Sequence, residues 1–102
     1  VPAGLHTLSD DLRLEVVDEA FEPRWLRVTI AEGITTVSVN RAHRFMQSFC
    51  HVPGADAEPV LRLAAAMALA ELRGRESGVA QPAFVRTQVN DLLAGPLSER
   101  LV

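Results

Sequence analysis

Along residues 12–40 the apolar positions recur every second residue, and from residue 42 they recur at spacings of three and four. In "LRLEVVD", Leu12, Leu14 and Val16 alternate with Arg13 and Glu15, the period of a half-buried strand. Pro23 marks a loop in "AFEPRW", and "WLRVTIAEGITTVSVN" then reads as a hairpin. A two-residue turn at Glu32-Gly33, with Gly33 taking a positive φ, sets residue 30 opposite 35, 28 opposite 37 and 26 opposite 39. Leu26, Val28 and Ile30 then share a face with Thr35, Val37 and Val39, while Arg27, Thr29, Thr36 and Ser38 share the other. A slip of one residue would set apolar side chains against the polar set, so the pattern and the turn agree on one register.

Asn40 is the predicted N-cap of a first helix, because its side chain can accept a bond from a free N–H of the first turn. Ala42, Phe45, Met46 and Phe49 form its stripe, and Pro53-Gly54 ends it. A second helix follows Asp56, another N-cap candidate, with Pro59 tolerated in the first turn. Its sequence, "VLRLAAAMALAEL", is apolar nearly all round, as in a helix that is central or packed by another subunit. Gly74 is its predicted stop. A third helix, Ala83 to Leu93, has the stripe Val85, Val89, Leu92 and Leu93, and Gly95-Pro96 closes it. The last six residues read as one further turn or a frayed end. The prediction is a single α+β domain over residues 1–102: an antiparallel meander of about three strands, then about three helices.

Composition narrows the function classes. With 48% hydrophobic and 23% charged residues, the chain has enough apolar surface for one modest core. Net charge is −3 and the basic residues are all arginine, which argues against phosphate-backbone binding and predicts no nucleic-acid contact. The single cysteine, Cys50, allows no internal disulfide, and a reducing cytoplasm is the expectation. The opening "VPAGLHTLSDD" lacks the basic and apolar regions of a signal peptide. The most apolar run, Val60 to Ala70, falls short of the about 20 residues that span a bilayer, so no membrane contact is expected. Because the chain opens on Val1, we expect a fragment or a C-terminal module of a longer polypeptide.

Few constellations offer chemistry. His6, His43, Cys50 and His51 are the potential zinc ligands, but no closely spaced pair of the CxxC or HxxxH kind occurs. Cys50 with His43 has the residue types of a thiolate and its base, but no glycine-rich loop or third group accompanies them. The acids Asp10, Asp11, Asp18, Glu19 and Glu22 read most simply as solvated turn residues, with "VVDEAFE" as a partner-facing patch in the sharper reading. No GxxxxGK[ST] or GxGxxG is present, so no phosphate loop is expected. Arg41, His43 and Arg44 form a basic cluster for which a salt bridge to Asp18, Glu19 or Glu22 is the plain explanation. Trp25 and Phe21 sit by the strand loop and read as core edge sooner than as a ligand stack, while an exposed Trp25 would mark an interface. We therefore expect no catalytic residue, no metal and no cofactor.

The stretch "VSVNRAHRFMQSFC" resembles a segment near the carboxyl end of bacterial GHKL-class ATPases, the histidine-kinase-like and chaperone-like ATP-binding proteins related to the MORC group. The matching pieces are Val39, Asn40, Ala42-His43-Arg44-Phe45, the helix of residues 61–72 and the hairpin of residues 25–40. Met46 departs from that pattern, where an aromatic residue is expected, and "HVPGADAEP" is short for its region. The resemblance covers residues 12–93 in order of elements. It implies a non-catalytic accessory module that packs on an upstream ATPase domain or another subunit, serving oligomerisation or signal coupling. Asn40, His43, Arg44, Phe45, Leu63 and Met67 would then be structural or interface residues. The alternative is a free-standing interaction protein that forms a homodimer through residues 60–72, and the third reading is a small metal or Cys/His enzyme.

Overall fold

The structure, a computed structural model, describes residues 2–99. It is an α+β fold: a four-stranded mixed sheet with helices packed on one face. The strands are β1 (Gly4–Ser9), β2 (Leu12–Val17), β3 (Leu26–Ala31) and β4 (Ile34–Asn40), in the order β1-β2-β4-β3. Helices α1 (Arg44–Phe49), α2 (Glu58–Glu76) and α3 (Phe84–Leu93) follow, and a short 3₁₀ turn spans Pro96–Ser98. The end segment of residues 100–102 lies outside the described residues.

The hairpin has the register its pattern dictates: Leu26 faces Val39, Val28 faces Val37 and Ile30 faces Thr35. Its turn takes positive φ at both Glu32 (53°) and Gly33 (76°), the arrangement of a type I′ turn whose twist matches the strands. The expected three-stranded antiparallel meander is corrected in two respects. First, β1 pairs antiparallel with β2 across an Asp10-Asp11 turn. It leaves no trace in hydrophobic periodicity because five of its six residues are exposed, so no buried face imposes alternation on "GLHTLS". Second, β2 and β4 are parallel. The loop after β2 carries the chain past the place β4 will take, and the hairpin then lays β4 between β2 and β3. Val37 and Val39 are consequently fully buried.

Leu12, Leu14, Val16, Leu26, Val37 and Val39 face the helices and join Met46, Cys50, Ala57, Leu61, Ala64, Ala68 and Leu93 in one core. Small alanines on α2 bring its backbone close to the sheet, with Ala64 and Ala68 almost wholly buried. The other face of the sheet carries Arg13, Glu15, Arg27, Thr29, Thr36 and Ser38, with Ser38 Oγ donating to Glu15 Oε1 at 3.1 Å across β2 and β4.

Helix ends differ from the sequence reading for local reasons. Asn40 does not cap α1. It is still the last residue of β4, and His43 takes the cap, its Nδ1 accepting from the Phe45 N–H at 3.0 Å. Asp56 accepts from the Glu58 N–H at 3.0 Å, so its side chain serves the first turn of α2 from one residue outside the cap position. Gly74 does not stop α2, which runs on to Glu76. The stop comes at Gly78, whose φ of +84° lets the Val79 N–H turn back to the Gly74 carbonyl at 2.9 Å. On α3, Asn90 docks the helix onto the edge of the sheet: its side chain accepts from the Leu26 N–H at 2.9 Å and donates to the Leu26 carbonyl at 2.8 Å. Those backbone groups belong to an edge strand and would otherwise lack a partner.

Candidate functional site

Two regions hold the residues to which the sequence draws attention. The first is the junction where β4 passes into α1. Asn40 is 1% exposed and acts as a hub. Its Oδ1 accepts from the N–H groups of Glu19 and Ala42, each at 3.1 Å, and its Nδ2 donates to the carbonyls of Glu19 (2.9 Å) and Glu22 (3.1 Å). One buried amide thereby fixes the loop after β2 and the entry to the helix together. The loop is braced from outside as well. Arg41 Nε donates to Asp18 at 2.9 Å, Arg27 reaches Glu19 at 2.9 Å, and Arg24 grips Glu22 at 2.8 Å. The Arg24 guanidinium beside Glu22 holds its carboxyl at about 2, and the hydrogen bond from Arg41 lowers that of Asp18. The ion pair expected of Arg41 is therefore present, while Arg44 points elsewhere, 3.9 Å from Glu99.

His43 and Cys50 are both buried. His43 is engaged within the junction, its Nδ1 accepting from the Phe45 N–H as the helix cap. Burial pushes the imidazole toward the neutral form, which leaves Nδ1 its lone pair for the cap. Burial also raises the Cys50 thiol, away from the thiolate that nucleophilic chemistry needs. Among the described residues no group of three or more His, Cys, Asp or Glu side chains could hold a metal ion. Phe45 is half-buried and meets Trp25 edge-on, with ring centroids 5.5 Å apart, and Phe49 continues the cluster at 5.8 Å. This geometry is that of a structural joint.

The second region is the outer side of the helical layer, where apolar side chains are left uncovered. Leu63 on α2 is 61% exposed, and Ala66 and Ala70 share that outward side. On α3 the expected stripe is divided: Leu93 is buried and Val89 half-buried, but Val85 is 64% exposed and Leu92 also faces out, with Phe84 beside Val85. Asn90 explains the division. Its bonds to Leu26 fix the rotation of α3, turning Arg86, Val89, Asn90 and Leu93 inward and Val85 and Leu92 outward.

Between α2 and α3 the helices splay over an open groove of about 310 Å³, walled by Met67, Ala70, Val79, Pro82 and Val85. Met67 thus lies at the groove, half-buried, while Leu63 stands on the open face. The groove's one polar feature is an ion pair, Arg86 Nε donating to Glu71 Oε1 at 2.9 Å. The Glu71 side chain is only 6% exposed. The inward side of α2 carries this carboxylate at a position where periodicity alone assigns core. Spacing gives no signal for it, because its partner is fifteen residues away on another helix.

No helix among the described residues is long and apolar enough to cross a membrane. No protein-family model matches the chain, and comparison with curated proteins and with solved structures likewise finds no significant match.

Proposed function

We propose that this chain is a non-catalytic, protein-binding module, and that it serves as the accessory region of a bacterial GHKL-type ATPase, coupling or assembling its ATP-binding parts. The observation that carries the reading is the uncovered apolar surface of the helical layer: Leu63, Phe84, Val85 and Leu92 all face solvent beside an apolar groove. Exposed apolar side chains beside an apolar groove support a contact with another protein surface. The groups with chemical potential, His43 and Cys50, are by contrast tied up or suppressed by burial. The ATPase assignment rests on the "VNRAHRF" resemblance and on the order of hairpin, short helix and long alanine-rich helix.

A second reading is favoured by Leu63, Ala66 and Ala70, which share the outward side of α2: a free-standing interaction protein that dimerises through residues 60–72. Intact-mass spectrometry of the native gene product in source cells separates the two. A chain several times longer than 102 residues supports the accessory module. A mass near 11.1 kDa removes the ATPase reading and leaves the free-standing protein.

A further inference from the structure

The two edges of the sheet are finished differently. The Thr35 N–H donates to the Asp11 carbonyl at 2.8 Å and the Arg41 N–H to the Val17 carbonyl at 2.7 Å, so the odd-numbered residues of β2 turn their backbone groups toward β4. The even-numbered ones face β1, where Leu14 pairs with His6 and Val16 with Gly4. Leu5 and Thr7 are thereby turned outward, and their N–H and carbonyl groups find no backbone partner among the described residues. On β3 the bond from the Asn40 N–H to the Trp25 carbonyl (2.9 Å) sets the same count and turns Leu26 outward. There the Asn90 side chain closes both groups.

The outer edge of β1 has no such cover. Edge strands are commonly guarded by charged side chains or proline, yet "GLHTLS" contains neither an ionised acid or arginine nor a proline. A bulge disturbs its pairing only beyond Thr7, so Gly4 to Thr7 remain regular. Leu5 and Leu8 are 54% and 41% exposed. Beside the strand a hollow of about 130 Å³ opens between His6, Leu8 and Leu14 of the sheet and Leu61 of α2, where the helix-side residues of one more strand would lie. Outward N–H and carbonyl groups on alternate residues are matched by another extended backbone. Strand β1 is itself such a backbone. Set antiparallel to a second copy about His6, Leu5 exchanges two bonds with the second copy's Thr7, and Thr7 does the same with the second copy's Leu5. Leu8 then lies across from the second copy's Gly4, where no atom stands within 4 Å of the place a Cβ would take. The cross-strand pairs bring no two acids and no two arginines together.

We infer that two copies of this chain pair edge to edge through β1, antiparallel about His6, and join their four-stranded sheets into one sheet of eight strands. The same patch serves both copies, so the contact is isologous and closes at a dimer. It lies on the edge of the sheet, apart from the outer face of the helical layer, and stands or falls separately from the partner proposed there.

Sedimentation velocity on the chain, over a concentration series reaching about 1 mM, where weak contacts still show, tests this. Wild type should pass from monomer to a dimer of twice the 11.1 kDa chain mass. Thr7→Pro removes an outward N–H that makes no bond within the ladder, so the variant should fold, as a cooperative melt will show. It should dimerise about thirtyfold more weakly, because two backbone bonds are lost across the axis. Leu63→Ser, on the helical face, should dimerise as wild type does. Cysteine cross-linking reads the register. His6 faces its own copy in a pair with Cα atoms about 4.5 Å apart, within reach of a disulfide. His6→Cys should therefore form a covalent dimer on oxidation, while Leu5→Cys, offset by two residues from its copy, should not; the native Cys50 is buried. A wild type that stays monomeric, a dimer that survives Thr7→Pro but is lost in Leu63→Ser, or cross-linking of Leu5→Cys in preference to His6→Cys would each overturn the pairing. A monomeric wild type would leave the accessory-module reading standing, since intact mass decides that separately.

Discussion

The β4–α1 junction and the outer helical face make opposite use of their side chains. At the junction, polar groups are turned inward and satisfied: Asn40 makes four hydrogen bonds while nearly fully buried, and the His43 side chain caps α1 with another. On the helical face, Leu63, Val85 and Leu92 are turned outward with nothing covering them. The hub is what the chain needs to bring a loop, a strand and a helix together at one point. These exposed side chains contribute little to the isolated fold, and in the proposed reading they meet a partner surface. The difference teaches that the residues most conspicuous as motif, Asn40, His43 and Phe45, serve the fold. The surface proposed for contact is built from ordinary leucines, valines and alanines.

That contrast can be broken at the junction first. Asn40→Ala should cost about 3 kcal/mol, since it strips partners from several buried backbone groups at once. Urea unfolding is the readout, and a loss below about 0.5 kcal/mol, the level of an ordinary surface substitution, would mean that water replaces the hub. Phe45→Ala should cost about 2 kcal/mol, below the range for a fully buried ring, because the ring is half-buried although it packs on Trp25.

His43 gives a smaller effect with a definite pH sense. Its folded-state pKa lies below the unfolded value of about 6.5, so its contribution is complete above that pH and is lost as pH falls through the lower folded value. Protonation of Nδ1 removes the acceptor for the Phe45 N–H, an N-cap worth about 1 kcal/mol. Stability should decline as pH is lowered below the ordinary histidine range, and His43→Asn, which caps without titrating, should flatten the curve. Glu22 does not interfere there, since its carboxyl is held at about 2 by Arg24 and its own loss of stabilisation falls between the usual glutamate range and that value.

The smallest effect is the most informative about the outer face. Leu63→Ser and Leu92→Ser should each change the stability of the isolated chain by less than about 0.5 kcal/mol, as exposed positions do. The same substitutions should weaken assembly of the native protein. Loss of stability in the isolated chain instead would place both side chains in its core.

Much of the fold was legible because burial writes itself into periodicity. The hairpin register followed from one turn and one alternation. The third helix begins within one residue of its expected start. What escaped notice lacked a buried face or a local partner. Strand β1 is exposed on nearly every residue, and the β2–β4 pairing is parallel because of the path of a loop that carries no such pattern. Asn40 is conspicuous as a helix cap, but three of its four side-chain bonds reach about twenty residues back in the chain. The rotation of α3 was hidden for the same reason, being fixed by Asn90 acting on a strand sixty-four residues away.

Side-chain accessibility distinguishes a helical face that is covered in the native protein from one that stays free. Hydroxyl-radical footprinting should compare the isolated chain with the native gene product purified from source cells. Leu63, Phe84, Val85 and Leu92 should be modified readily in the isolated chain and shielded in the native protein, while Ile30, exposed at the far end of β3, should react alike in both. Equal modification of the four helical residues in the two samples would contradict a covered face.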